Sequence, residues 1–160
     1  MTTVLVGLVS VCLLQTMVSP RLAIWGIQPD LFLIFIFGLS LTAGPELATS
    51  VGFLVGLYQD TLSGAPLGLH AFTLSLLGFL VSYLSRQLRT SQVAAQFALL
   101  LFAGLVSGLV TLLLLRFFQL SRPIASSILW TVVPGAVYTA ALGVGLLSIP
   151  RVRAFMTVRR

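Results

Sequence analysis

The stretch GLYQDTLSGAPLGLH, Gly56 to His70, decides how this chain folds. The 160-residue sequence contains three acidic residues and one histidine, and this otherwise apolar region holds Asp60 and His70. An acidic group in hydrocarbon costs at least about 2.5–3.5 kcal/mol unless it finds partners or water. The surrounding residues supply candidates: the hydroxyls of Thr61 and Ser63, the free amides at the start of the next helix, and His70 itself. A helix N-terminus offers unpaired N–H groups and a partial positive charge, both suited to a carboxylate. Gly64 and Gly68 allow positive φ and Pro66 sets one dihedral, so Ser63 to Gly68 reads as a rigid reversal.

Periodicity extends the reading to both sides of the turn. Gly52, Gly56 and Asp60 recur every four residues on one helix face, and Gly52 with Gly56 forms a small-residue pair that admits another backbone at close range. After the turn, Ala71, Ser75, Gly78, Ser82 and Ser85 form a second small-residue face. Two such faces joined by a tight turn predict a close antiparallel helical hairpin, with Asp60 facing protein.

The composition names the solvent. Hydrophobic residues make up 58% of the chain and charged ones 8%, against about 25% charge in an ordinary soluble domain. Mean hydropathy is +1.12. A soluble domain of this length could not bury so much apolar surface, so the predicted class is all-α, a polytopic integral membrane protein. The nine basic residues are all arginine and the net charge is +6, but they sit singly or in pairs between apolar runs. That spacing excludes a nucleic-acid stripe and suits anionic lipid headgroups. Cys12 is the one cysteine, so there is no intramolecular disulfide or cysteine metal cluster. The N-terminal apolar run lacks a basic leader and is read as a retained first span.

Charges and Pro/Gly clusters divide residues 1–160 into one membrane domain with spans near 4–24, 28–44, 46–62, 68–85, 93–116 and 124–149. A span needs roughly 20 residues. The apolar part of the second, Leu31 to Ala43, is short, which leaves a re-entrant hairpin open there. Six spans with both termini inside put Arg86, Arg89, Arg151, Arg153, Arg159 and Arg160 in the cytoplasm and Arg21, Arg116 and Arg122 outside. Five spans move the N-terminus outside and Arg21 inside. Six arginines against three satisfy the positive-inside tendency, seven against two satisfy it slightly better and so favour five spans on charge alone, and both arrangements put the Ser63 to Gly68 turn outside. Trp25 and Tyr83 fall near expected interfaces, and Pro134 with Gly135 predicts a kink in the last segment.

The remaining polar residues read mainly as structural. Pro29 and Asp30 look like a helix start with a carboxylate cap. Glu46 complements the dipole of the third helix. Gly104 and Gly108 form another small-residue face. Asp60, Ser63 and His70 include the residue types of a hydrolase triad, but no nucleophile elbow accompanies them. No zinc-ligand spacing or phosphate-binding glycine motif occurs. The expectation is therefore a non-enzyme with no catalytic residues, no metal and no cofactor.

The pattern PDLFLIF from Pro29, followed by GFLVGLYQDTLSGAPLGLHAFTLSLLGFLVSYL from Gly52, resembles the bacterial rod shape-determining MreD family. The likeness runs from about Pro29 to Leu84, and its more specific part is Asp60 to Ala71. Pro29, Asp30, Asp60, Ser63, Gly64, Pro66, Gly68 and His70 match the family pattern. The resemblance implies six transmembrane helices in one bundle, both termini cytoplasmic, and a fold like the substrate-binding subunits of energy-coupling-factor transporters. It also implies a place in the inner-membrane cell-elongation machinery and in lateral peptidoglycan synthesis. Direct binding to the scaffold MreC and association with MreB, RodA and the elongation penicillin-binding protein follow from the same likeness, as do contacts with membrane lipids.

Two function classes result. In one, the protein is a membrane adaptor whose partner-binding or hairpin-organising residues are Asp60, Ser63, Gly64, Pro66, Gly68 and His70, with Gly52, Gly56, Ser75, Gly78 and Ser82 packing helices. In the other, it is a small-molecule or lipid-binding transporter subunit with a pocket near Asp60 and His70. Spans poor in scattered polar groups favour the adaptor over a hydrophilic-substrate transporter.

Overall fold

The computed structural model describes residues 2–23, 27–64, 66–87, 92–117 and 128–148. Among them are six α-helices: α1 (Thr2–Met17), α2 (Leu31–Thr42), α3 (Pro45–Ser63), α4 (Leu69–Gln87), α5 (Val93–Phe117) and α6 (Val133–Leu147). A 3-10 turn, Ser19–Leu22, follows α1, and a π-helical turn, Ile128–Val132, leads into α6.

The shortest of the described α-helices is the one the others pack around. α2 touches each of the other five helices, and every residue from Leu31 to Ser40 is buried. Its sequence explains this, because LFLIFIFGLSLT has no polar face to turn toward solvent and a helix that is apolar all round belongs inside. Phe32, Ile36, Phe37 and Leu39 fill the middle of the core. The helix has 12 residues, about 18 Å of rise against a hydrocarbon core of about 30 Å.

How so short a helix begins inside the bundle is a question of where its amides go. The Asp30 side chain accepts from Leu33 N at 3.0 Å. Leu31 N donates to Gln15 Oε1 on α1 at 2.9 Å, and Asp30 N donates to Thr139 Oγ1 on α6 at 3.1 Å. Non-helical backbone at membrane depth is tolerated where protein surrounds it and satisfies it, and Pro29 beside this junction is fully buried. At the other end Gly44, with φ 95°, turns the chain into Pro45, the first residue of α3.

Three stretches are long and apolar enough to cross a membrane: Leu69–Gln87, Val93–Phe117 and Trp130–Leu147. Their outward faces carry Phe79, Phe102, Leu109, Leu113 and Trp130, the surface expected against lipid. α1 stops at Met17, short of the expected 4–24 span, because Pro20 lacks the amide that a continuing α-helix requires. In the last segment Pro134 sits in the first turn of α6 and the π-turn precedes it. The missing proline amide is accommodated at that change of helical register. Trp25, Arg89, Arg122 and the arginines of 151–160 lie outside the described residues.

Candidate functional site: the Asp60 hairpin and the adjoining cavity

α3 and α4 form the most extensive helix pair among the described residues. Their contact is backbone on backbone. A Cβ placed on Gly52 would lie 2.6 Å from Leu74 O, and one on Gly78 would lie 2.6 Å from Ala48 O. A Cβ on Gly56 would overlap Ala71 Cα, Ala71 N and His70 O. Ser75 N lies 3.2 Å from the same position on Gly52. These crossings recur at one-turn intervals along α3, so the fourth position of the stripe, Asp60, is delivered to the first turn of α4.

There the carboxylate, 1% exposed as a residue, meets four donors. Oδ2 accepts from Gly68 N at 2.8 Å and Ala71 N at 3.4 Å. Oδ1 accepts from His70 N at 2.8 Å and lies 2.8 Å from His70 Nδ1. Asp60 thus caps α4 from a neighbouring helix, satisfying amides that a helix start leaves open. The Thr61 hydroxyl donates to Tyr58 O, and that of Ser63 donates to Asp60 O at 3.4 Å. Gly64 ends α3 at φ 63° and Gly68 precedes α4 at φ 100°, backbone conformations that glycine adopts without a Cβ penalty. Leu69 N donates to Pro66 O at 3.2 Å, closing the turn between them.

Ser82, fully buried, donates to Ser40 O at 3.2 Å. Ser40 Oγ in turn reaches Ile36 O at 2.7 Å and Gly78 O at 3.2 Å. Serine hydroxyls therefore join α2 and α4 at the level where Gly78 lies against α3. Ser40, Gln15 and Thr139 were not singled out from sequence, since an isolated hydroxyl or amide in an apolar run carries no local signal of its partner.

Asp30 caps α2, and Asp30 and His70 line one cavity of about 270 Å³. The cavity lies between the α2 start, the α3 end, the α4 start, and the faces of α5 and α6 bearing Gly104, Gly108 and Gly135. Gln59 and Thr139 also line it. Gly104 packs against Ala136 and Gly108 against the Val132 side chain, which closes the α5–α6 pair beside it. Gln59 precedes Asp60 in the chain, and nothing in the linear pattern marks it as part of this wall. No group of three or more metal-ligating side chains occurs among the described residues.

Six helices with apolar outer faces and a polar junction buried between them define an α-helical membrane protein. The sequence model of the rod shape-determining protein MreD matches residues 1–157, and the chain belongs to that family. Membership places it among shape-determining membrane proteins and implies a role in rod-shape determination. No curated protein and no solved structure matches the chain.

Proposed function

We propose that this protein is a non-enzymatic membrane adaptor of the bacterial cell-elongation machinery, in which the α3–α4 hairpin presents a preorganised outer surface to the scaffold MreC. The observation that carries the reading is the Asp60 carboxylate, buried and spanned by Gly68, His70 and Ala71. A turn held by such bonds loses little freedom on meeting a partner, which lowers the cost of association. Beside it stand the exposed apolar side chains a membrane partner would cover: Leu62, Leu67, Phe72 and Tyr58, with Leu67 74% exposed at the tip.

In this reading six spans sit in the inner membrane with both termini in the cytoplasm and the turn outside, and MreB, RodA and the elongation penicillin-binding protein associate through the same complex to support lateral peptidoglycan synthesis. Ser63, Gly64 and Pro66 shape the turn; Gly52, Gly56, Ser75, Gly78 and Ser82 set the distance between helices; Pro29 and Asp30 anchor the central helix.

The test is co-purification of MreC with the tagged full chain from native membranes. Asp60→Asn replaces one acceptor oxygen by a donor facing donors, and is expected to reduce recovery of the scaffold about tenfold while the protein inserts at normal level. Normal recovery at normal expression would refute the adaptor role of the hairpin.

A further inference from the structure

The cavity beside the hairpin sets three nitrogen- and oxygen-bearing side chains among hydroxyls. Asp30, Gln59 and His70 line its walls with Ser107, Thr111, Thr131 and Thr139, and among the described residues no arginine does. The Gln59 amide oxygen is buried and has no hydrogen-bond partner. Buried polar atoms in folded proteins are paired almost without exception, so an orphan at a cavity wall calls for a donor from outside the chain. His70 turns Nδ1 to Asp60 Oδ1; when Nδ1–H donates to the carboxylate, the neutral ring keeps Nε2 as an acceptor. In that neutral form of His70, three kinds of acceptor belong to residues lining one space: a carboxylate, an amide oxygen and an imidazole nitrogen. Their natural complement is a compact cation bearing several N–H donors.

We propose that this cavity binds a primary ammonium group, carried either by the ethanolamine headgroup of a phospholipid or by a small soluble amine. An ammonium brings three donors and one positive charge, which suits the Asp30 carboxyl and the Gln59 oxygen together. The cavity volume of about 270 Å³ accepts a headgroup of that size. A trimethylammonium group carries the same charge and no N–H donor, so it satisfies none of these acceptors. This inference is independent of scaffold binding.

The full chain, purified in detergent, is offered equal amounts of phosphatidylethanolamine and phosphatidylcholine with identical acyl chains, and the retained lipid is read by native mass spectrometry. Phosphatidylethanolamine is expected to be retained about tenfold or more over phosphatidylcholine, the scale of a hydrogen bond to a charged group. Gln59→Leu should lose that preference and yet melt at or above the wild-type temperature, because it removes an orphaned oxygen from the unliganded protein. Gln59→Glu keeps an acceptor and should retain the preference. Displacement by glycerophosphoethanolamine assigns the site to soluble amines, and resistance to it assigns the site to the bilayer lipid. Equal retention of the two lipids, or a Gln59→Leu protein with unchanged preference, overturns the proposal.

Discussion

Gly56→Ala should uncouple the hairpin at two places at once. The added methyl would overlap the backbone of His70 and Ala71, which no rotamer change can relieve, so α3 and α4 must separate by about 1 Å to reach ordinary contact distance. Overpacking of this kind costs about 1–3 kcal/mol. The same displacement takes the Asp60 bonds to Gly68 and His70 from 2.8 Å to beyond hydrogen-bonding range. Losing charge-assisted bonds to buried amides adds about 1.5–3 kcal/mol, for a total of about 2.5–6 kcal/mol. Gly52→Ala meets Leu74 O in the same way, one turn further from Asp60, and should show the packing cost of about 1–3 kcal/mol alone. Reversible unfolding in mixed micelles measures both. The coupling is read from a double-mutant cycle with Asp60→Asn, whose effect should shrink in the Gly56→Ala background. A Gly56→Ala loss under about 1 kcal/mol, or strict additivity with Asp60→Asn, would refute the argument that the glycine stripe positions the carboxylate.

Two further outcomes follow from the packing. Gly145 has open space where a Cβ would stand, so Gly145→Ala should stabilise α6 by about 0.5–1 kcal/mol through helix propensity, measurable as a raised melting temperature in detergent. Ser40→Ala leaves the carbonyls of Ile36 and Gly78 within their own helices and should cost only about 0.5–1 kcal/mol by the same unfolding measurement, whereas Ser40→Leu forces α2 and α4 apart and should cost about 1–3 kcal/mol or more.

The contrast between the hairpin and the centre of the bundle shows what a linear reading can reach. The Asp60 and His70 contact joins residues ten positions apart across a short turn, and its parts are written consecutively: the four-residue glycine spacing, the turn residues, the amides of a new helix. The second segment carried the opposite lesson. Its shortness leaves a re-entrant hairpin open in the sequence, and the structure places it at the centre, touched by every other described helix.

The sequence by itself determined the solvent, the helical class and the geometry of the reversal, because apolar composition, periodicity and turn chemistry act between near neighbours. Tertiary structure alone decided that Asp30 would meet Thr139 from 109 positions away, that Gln15 would complete the start of α2, and that Asp30, Gln59 and His70 would share a cavity. A single glutamine or threonine in an apolar run says only that a partner is needed. Which partner it finds is set by how the five other described helices close around a 12-residue core helix, where each backbone amide left open by a short element has to be met by whatever side chain packing brings within reach.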